Sequence, residues 1–306
     1  MAAIEAASPD SKTRFLVLTD TYGLEILPRN SLAPICRPGG HDFTLYIPFF
    51  KRRVAEARRT IDPTLFQPII GRYGEARDAE AGITFVDQAI CSFQPQNGAL
   101  LEICAISYTP SFGDWALQYD RYDGYNYAID NVHDVMMIHG SPIGVMGSNR
   151  MGNLIGSLHP FEAVSRARPR LHCYGHIHEV LGVKFIKWRQ ESATDTFHTT
   201  DMHEQNSILI ENISTIREKR KRASVELSAT RHCIADPYPL KSGSRTLFVN
   251  TATSGIRDHP VQPPWVVDLE LPRATRQTNF WGTQQSPDYP FCCAGFLIPV
   301  RAQCEL

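Results

Sequence analysis

Residues Arg170 to Glu179 read RLHCYGHIHE. A short apolar run, LHCY, stops at Gly175 and is followed by two imidazoles, His176 and His178, two residues apart. In an extended segment that spacing sends both side chains to one side, so both rings are expected to face one ion or a close pair of ions. A second apolar run, Val132 to Ile138, ends at His139-Gly140 and is predicted to bring a third imidazole to the same sheet edge. A lone histidine is more often a satisfied core or surface ring than a ligand. Three at strand ends, two of them beside glycine, point to a metal site at the edge where α/β sheets place their chemistry.

Outward from this stretch, further strands are predicted at Phe15 to Thr19, Ile83 to Val86, Leu100 to Ile106, Leu171 to Tyr174, Val183 to Trp188, Thr246 to Asn250 and Trp265 to Leu271. Several are near-continuous apolar runs, as expected of strands covered on both faces. Helical patterns lie between them at Pro48 to Arg59 and Pro160 to Arg166, the second entered through a proline suited to a first helical turn. Strands alternating with helices give an α/β sandwich. The 306 residues accommodate one large domain with appendages. That domain is read as 14–272, with a polar insertion at about 191–241, a disordered leader at 1–13 and an irregular, loosely docked tail at 273–306.

The formal net charge is -1 and charged residues make up 21%, so no global charge argues for nucleic acid or an anionic membrane. The run REKRKR, Arg217 to Arg222, reads as a solvated charge run more readily than as a nucleic-acid or nuclear-targeting patch, since no aromatic residues interleave it. Eight cysteines are scattered, and Cys91, Cys104 and Cys173 sit inside apolar runs, the pattern of reduced, buried thiols in an intracellular protein. Neither a signal peptide nor a membrane span is evident, so a soluble cytoplasmic or nuclear protein is expected.

The first strand, RFLVLTD, ends in Asp20, a carboxylate at the mouth of a buried strand. A bound cation is one reason for it; an N-cap for the next segment is an equal alternative. Gly39-Gly40-His41-Asp42 then presents an imidazole ahead of the apolar FTLYIPFF.

On Asp20-x-Tyr22-Gly23, Gly40-His41-Asp42, His139-Gly140-Ser141-Pro142 and Gly175-His176-Ile177-His178-Glu179, the chain resembles the calcineurin-like metallophosphoesterases. The branch it is most similar to comprises the metallophosphoesterase-domain-containing proteins and their fungal relatives. Softer similarities are SYTPSFGDWALQY at Ser107 to Tyr119, and TLFVNTA followed by QPPWVVDLELP. The resemblance implies a β-sandwich of mixed sheets flanked by helices, with divalent metal ions (manganese, zinc or iron) at the C-terminal strand edge activating a hydroxide against a phosphate ester. It implies Asp20 and His178 as ligands of one ion, His139 and His176 as ligands of the other, and His41 as the phosphate-contacting proton donor. The implied partner is a phosphate-ester small molecule or a nucleotide. Glu179 and Asp42 fall behind the ligands, and the loop Met146 to Ser157, with Arg150, is expected to line one wall.

Three departures bear on activity. Tyr22 stands where the family has histidine, Gly40 stands where it has an asparagine ligand, and residues 21 to 40 contain no aspartate to bridge two ions. Glu25 is the sole acidic residue there, and Tyr22 is a candidate phenolate ligand only for a strongly acidic iron. The interval is also too short for the strand and helix that relatives carry, so one of each is expected to be missing. Without a bridging anion, two cations about 3.5 to 4 Å apart repel, and weak mononuclear binding with low or absent hydrolysis is expected. The alternative is a catalytically inactive binding protein on the same scaffold.

Overall fold

The run VMMI forms strand β8 (Val135–Ile138) and LHCY forms β9 (Leu171–Tyr174), and all eight residues are buried because both faces of this sheet are covered. The two strands pair in parallel, with Val135 opposite Leu171 and Met137 opposite Cys173. On one flank, β5 (Leu101–Ile106) runs parallel to β8, and β4 (Ala89–Phe93) closes antiparallel on β5. On the other, β13 (Arg245–Asn250) is parallel to β9 and is followed by antiparallel β10 (Gly182–Lys187) and β11 (Ile208–Asn212). The result is a seven-stranded mixed sheet in the order β11-β10-β13-β9-β8-β5-β4.

A second sheet is built on β1 (Ser11–Thr19), which pairs antiparallel with β14 (Trp265–Leu271) on one side and with β15 (Gly295–Val300) on the other. With β2 (Ile35–Arg37), β3 (Thr84–Phe85) and β12 (Arg231–Cys233) its order is β12-β14-β1-β15-β2-β3. A two-stranded parallel ribbon, β6 (Thr109–Pro110) with β7 (Gln118–Tyr119), stands apart. This computed structural model describes residues 11–19, 35–37, 52, 55–56, 84–85, 89–95, 97–111, 113, 117–127, 129, 134–146, 154–190, 199–212, 231–233, 240–252, 265–274 and 295–300.

Alternation along the strands divides the interior in two. Phe15 and Val17 of β1 and Trp265, Val267, Leu269 and Leu271 of β14 share one cluster with Leu101, Ile103, Val135, Leu171, Val183 and Val249 of the large sheet. This is the filling between two stacked sheets. Met136, Ile138, Tyr174 and Phe248 face the opposite way and pack with Phe161 and Val164 of helix α1 (Leu158–Ala167). That helix stops where Arg168 takes a left-handed φ of 48° and donates its N–H to Val164, one residue before Pro169. The architecture is mixed α/β, with large mixed sheets and few helices.

The expected boundaries shift in three places. β1 begins at Ser11, ahead of the expected domain start, and pairs Ser11 with Leu271. The polar 191–241 stretch supplies an edge strand to each sheet, β11 and β12. The tail expected to be irregular contributes β15, whose ladder with β1 runs from Arg14 opposite Val300 to Thr19 opposite Gly295. Among the described residues no helix is long and apolar enough to cross a membrane.

Two polar features lie within these layers. Asp268 of β14 is 5% exposed and accepts a bidentate pair from Arg14, Nε to Oδ1 at 2.7 Å and Nη2 to Oδ2 at 3.0 Å. The thiols of Cys91, Cys104 and Cys173 are buried and form no disulfide. Burial, with smaller contributions from Cys91 and Glu102, pushes the Cys104 thiol from 9.0 up to about 12. Burial likewise raises Cys91, Tyr119 and Tyr174. These acids hold their protons more tightly folded than unfolded, so stability is unaffected below their unfolded pKa values and falls as pH climbs past them. Denaturant unfolding from pH 7 to 11 should therefore show a decline that sets in at about pH 9. At pH 8 the three thiols should be inert to a thiol-reactive chromophore until the chain unfolds.

Candidate functional site

The parallel register ends β8 and β9 at one level, so His139 follows β8 alongside Gly175, and the Gly175 N–H donates to the His139 carbonyl at 3.2 Å. The row of bonds continues across the edge. Thr251, just after β13, donates its N–H to Tyr174 at 2.8 Å, and Thr19, the last residue of β1, donates its N–H to Thr251 at 2.9 Å. Four strand ends from both sheets are thus tied together side by side. His139 is buried at 1% exposure, whereas His176 and His178 are half-buried.

The imidazoles of His139 and His176 lie with ring centres 5.2 Å apart and planes at 68°. An imidazole nitrogen about 2.0 to 2.1 Å from zinc puts the ring centre roughly 3.2 Å from the ion, so two rings at a tetrahedral angle sit roughly 5.2 Å apart. The pair thus has the spacing of half a coordination shell. The same values also suit two rings in edge-to-face contact, so the spacing admits an ion without requiring one. Among the described residues no third His, Cys, Asp or Glu joins these two to complete a three-donor metal group.

His178 differs from the expectation. β9 stops at Tyr174, and His178 opens a short 3₁₀ turn, His178–Val180. The two imidazoles therefore do not share one face of an extended strand, because Gly175 ends the strand before either is reached. Asp20 and His41, with Tyr22, Glu25, Asp42 and Arg150, lie outside the described residues, as does the side chain of Glu179.

His176 carries an unusual backbone. Its φ is 69°, and the Ile177 N–H donates to the Gly175 carbonyl at 2.8 Å, two residues back. An i to i+2 hydrogen bond around a positive φ marks the rarer, strained form of γ-turn. For a non-glycine residue such a conformation costs about 1 to 3 kcal/mol, and it persists where surrounding contacts over-determine it. Those contacts are present. The Ser141 hydroxyl donates to the Gly175 carbonyl at 2.7 Å. The Asn250 amide donates to the Ile177 carbonyl at 2.9 Å and to the Val180 carbonyl at 3.1 Å. At about 1 kcal/mol net for each bond, the three match the strain they oppose.

Ser141 and Asn250 stand within the quoted motifs HGSP and TLFVNTA, but the sequence reading gives neither a role at the site. The signal available for Asn250 was an amide closing the otherwise apolar run LFVN; for Ser141 it was only its place after His139-Gly140.

The rest of the rim is packed against the same corner. A side chain at Gly140 would meet Pro160 of α1 at 3.4 Å and Pro110 of β6 at 3.7 Å. Beside it lies a group of tyrosines: Tyr108 and Tyr125 stack at 5.2 Å, and Tyr119 meets both Tyr125 and Tyr127. The backbone of Ser157, which precedes α1, holds the 141–143 loop: the Ser157 N–H donates to Ser141 at 2.8 Å and the Ile143 N–H donates to Ser157 at 3.0 Å.

No protein-family model matches the chain, and no curated protein matches it. One solved crystal structure aligns over 47% of this chain and 50% of its own length, at 15% identity and a TM-score of 0.27. The chain spans about half the length of that protein, and a likeness this slight assigns neither fold nor function.

Gly156 offers a direct test of the rim. Its φ is 115°, and an added Cβ would lie 2.6 Å from the Pro142 carbonyl carbon, backbone that cannot swing aside. Gly156→Ala should destabilise the fold by roughly 2 kcal/mol or more in urea unfolding. It should also move the His139 ring resonances, since the displaced backbone is three residues away.

Proposed function

We propose that the chain is a metal-dependent phosphoric ester hydrolase of the calcineurin-like metallophosphoesterase kind, acting weakly on phosphate mono- or diesters. The observation that carries this reading is the His139 and His176 pair, 5.2 Å apart at a shared strand edge where the last residue of β1 also docks. Asp20 follows that residue directly in the chain.

In this reading His139 and His176 hold one divalent ion together with Asp20, His178 adds its donor only by a shift of its 3₁₀ turn toward the pair, and His41 holds a proton for the leaving oxygen. When bound, manganese, zinc or iron supplies Lewis acidity and a nucleophile at neutral pH. The chain's own contribution is orientation. The buried His139 is fixed by its place after β8, and the His176 ring is fixed by a backbone turn that hydrogen bonds hold in a strained shape. Residues held in costly conformations concentrate at functional sites, which is the second support.

A catalytically inactive binding protein on this scaffold is the competing reading, and one observation favours it. Residues 21 to 40 lack any aspartate, so the aspartate that the resemblance would have bridging two ions, and offsetting their repulsion, has no counterpart there. Occupancy by a single weakly held ion follows from that loss.

Hydrolysis of nitrophenyl phosphate and bis-nitrophenyl phosphate with added Mn²⁺, comparing the natural chain with His176→Ala, separates the two readings. A rate at least tenfold lower in the variant is expected, the scale on which loss of support to a metal ligand acts. Equal background rates in both proteins would leave only the binding reading. Metal analysis of purified protein should return less than one tight equivalent per chain, and two tight equivalents would overturn the mononuclear assignment.

A further inference from the structure

Asn250 is fully buried at the end of β13, and every polar group of its side chain is engaged. Its amide nitrogen spans two carbonyls of the histidine-bearing loop, Ile177 at 2.9 Å and Val180 at 3.1 Å. Its Oδ1 accepts the Ala252 N–H at 3.1 Å. Its own carbonyl accepts the indole N–H of Trp265, from the opposite sheet, at 3.1 Å. One residue therefore ties together the strand it ends, the loop that presents His176 and His178, and the second sheet of the sandwich.

The two bonded carbonyls bracket His178 and Glu179, and the first belongs to the residue that follows His176. Holding them fixes the peptide planes on the far side of the γ-turn, while the Ser141 hydroxyl fixes the plane on the near side through Gly175. Between these clamped planes lie only the dihedrals of His176 and Ile177, and the Ile177 N–H to Gly175 bond closes the turn on a His176 φ of 69°. Only a side chain with two donor hydrogens and an acceptor on one short stem can serve all three partners. Aspartate has the shape without the donors, and serine or alanine lacks the reach.

We infer that Asn250 is a positioning residue that holds His176 in its strained turn and thereby sets the orientation of the His176 imidazole toward His139. Its consequence for metal affinity rests on the hydrolase reading; its consequence for the loop does not. This division lets the two ideas fail separately.

The experiment compares Asn250→Ala and Asn250→Asp with a control on the same strand, Thr246→Val. Thr246 is also fully buried; its hydroxyl donates to the Pro169 carbonyl at 2.6 Å and accepts the Trp188 indole N–H at 2.8 Å, at the opposite end of β13. The control thus removes a comparable buried bond without touching the loop. Two readouts are taken on the full chain: hydrogen exchange of the Ile177 amide, which donates across the γ-turn, and calorimetric titration with Zn²⁺ alone.

Both Asn250 variants should speed Ile177 exchange at least tenfold relative to the control and weaken Zn²⁺ binding at least tenfold. Faster exchange with no Zn²⁺ bound by any of the proteins, the natural chain included, would sink the metal reading and keep the positioning role. Ile177 exchange in the Asn250 variants no faster than in Thr246→Val would overturn the inference. Should neither variant fold, the natural chain still decides it: the two Asn250 carboxamide protons must both exchange slowly, and rapid exchange of either would overturn the assignment.

Discussion

The register between β8 and β9 is the constraint on which the rest depends. With Val135 opposite Leu171, the paired residues alternate together between the two interiors: Met137 and Cys173 face the space between the sheets, while Met136 faces α1 from beside the buried His172. A slip of one residue would turn Leu171 and Cys173 out of the inter-sheet core and His172 into it. Losing the burial of Leu171 alone costs about 1.5 to 3 kcal/mol. Because that register is enforced from both faces, the two strands must end at one level. His139 then has no choice but to emerge beside Gly175.

Strand ends create a polar problem, since their last carbonyls and amides have no further ladder to join while still lying within the protein. Here the problem is resolved by pairing one strand's end with the next. The Thr251 N–H and hydroxyl both donate to the Tyr174 carbonyl, at 2.8 and 3.0 Å, and the Thr251 carbonyl accepts from Thr19. Asn250 and Ser141 extend the same arrangement to the histidine loop. The row of bonds that satisfies the buried backbone is therefore also the row that aims the imidazoles. Stability and presentation of the site share one set of hydrogen bonds, and a change that weakens one weakens the other.

Much of the sheet was legible because its strands are apolar on both faces and bounded by breakers. β9 and β14 fall on the predicted residues, Leu171 to Tyr174 between Pro169 and Gly175, and Trp265 to Leu271 between Pro264 and Pro272. The missed strands share a physical cause. β11 is half-exposed along its length, as an edge strand is, and its composition blends into the polar stretch around it. β15 carries Pro299 and pairs with β1 across most of the chain, a contact that no local pattern announces. At the site, spacing alone led to His178 sharing a strand face with His176. Gly175 and a positive φ at His176 undo that, and a backbone turn held by distant side chains leaves no trace in the periodicity of its own segment.

The second sheet bears on how the edge is held together. β1 needs a hydrogen-bonding neighbour on each side, because an unpaired strand carrying Phe15 and Val17 into the core would leave a row of backbone groups unsatisfied. β1 is paired on both flanks, by β14 and by β15, while β2, the strand formed within the interval expected to have lost one, lies one place further out and pairs with β15. Gly295 lies opposite Thr19, so the tail strand reaches the residue that bonds to Thr251. The support of the site and its chemical content are thus separable. A strand from elsewhere in the chain can complete the ladder and keep the end of β1 against the end of β13, since any backbone supplies the same amides and carbonyls. It cannot supply a particular functional group, which depends on one side chain at one position. An edge held by backbone bonds therefore keeps its shape whatever side chains the chain carries beyond the end of β1.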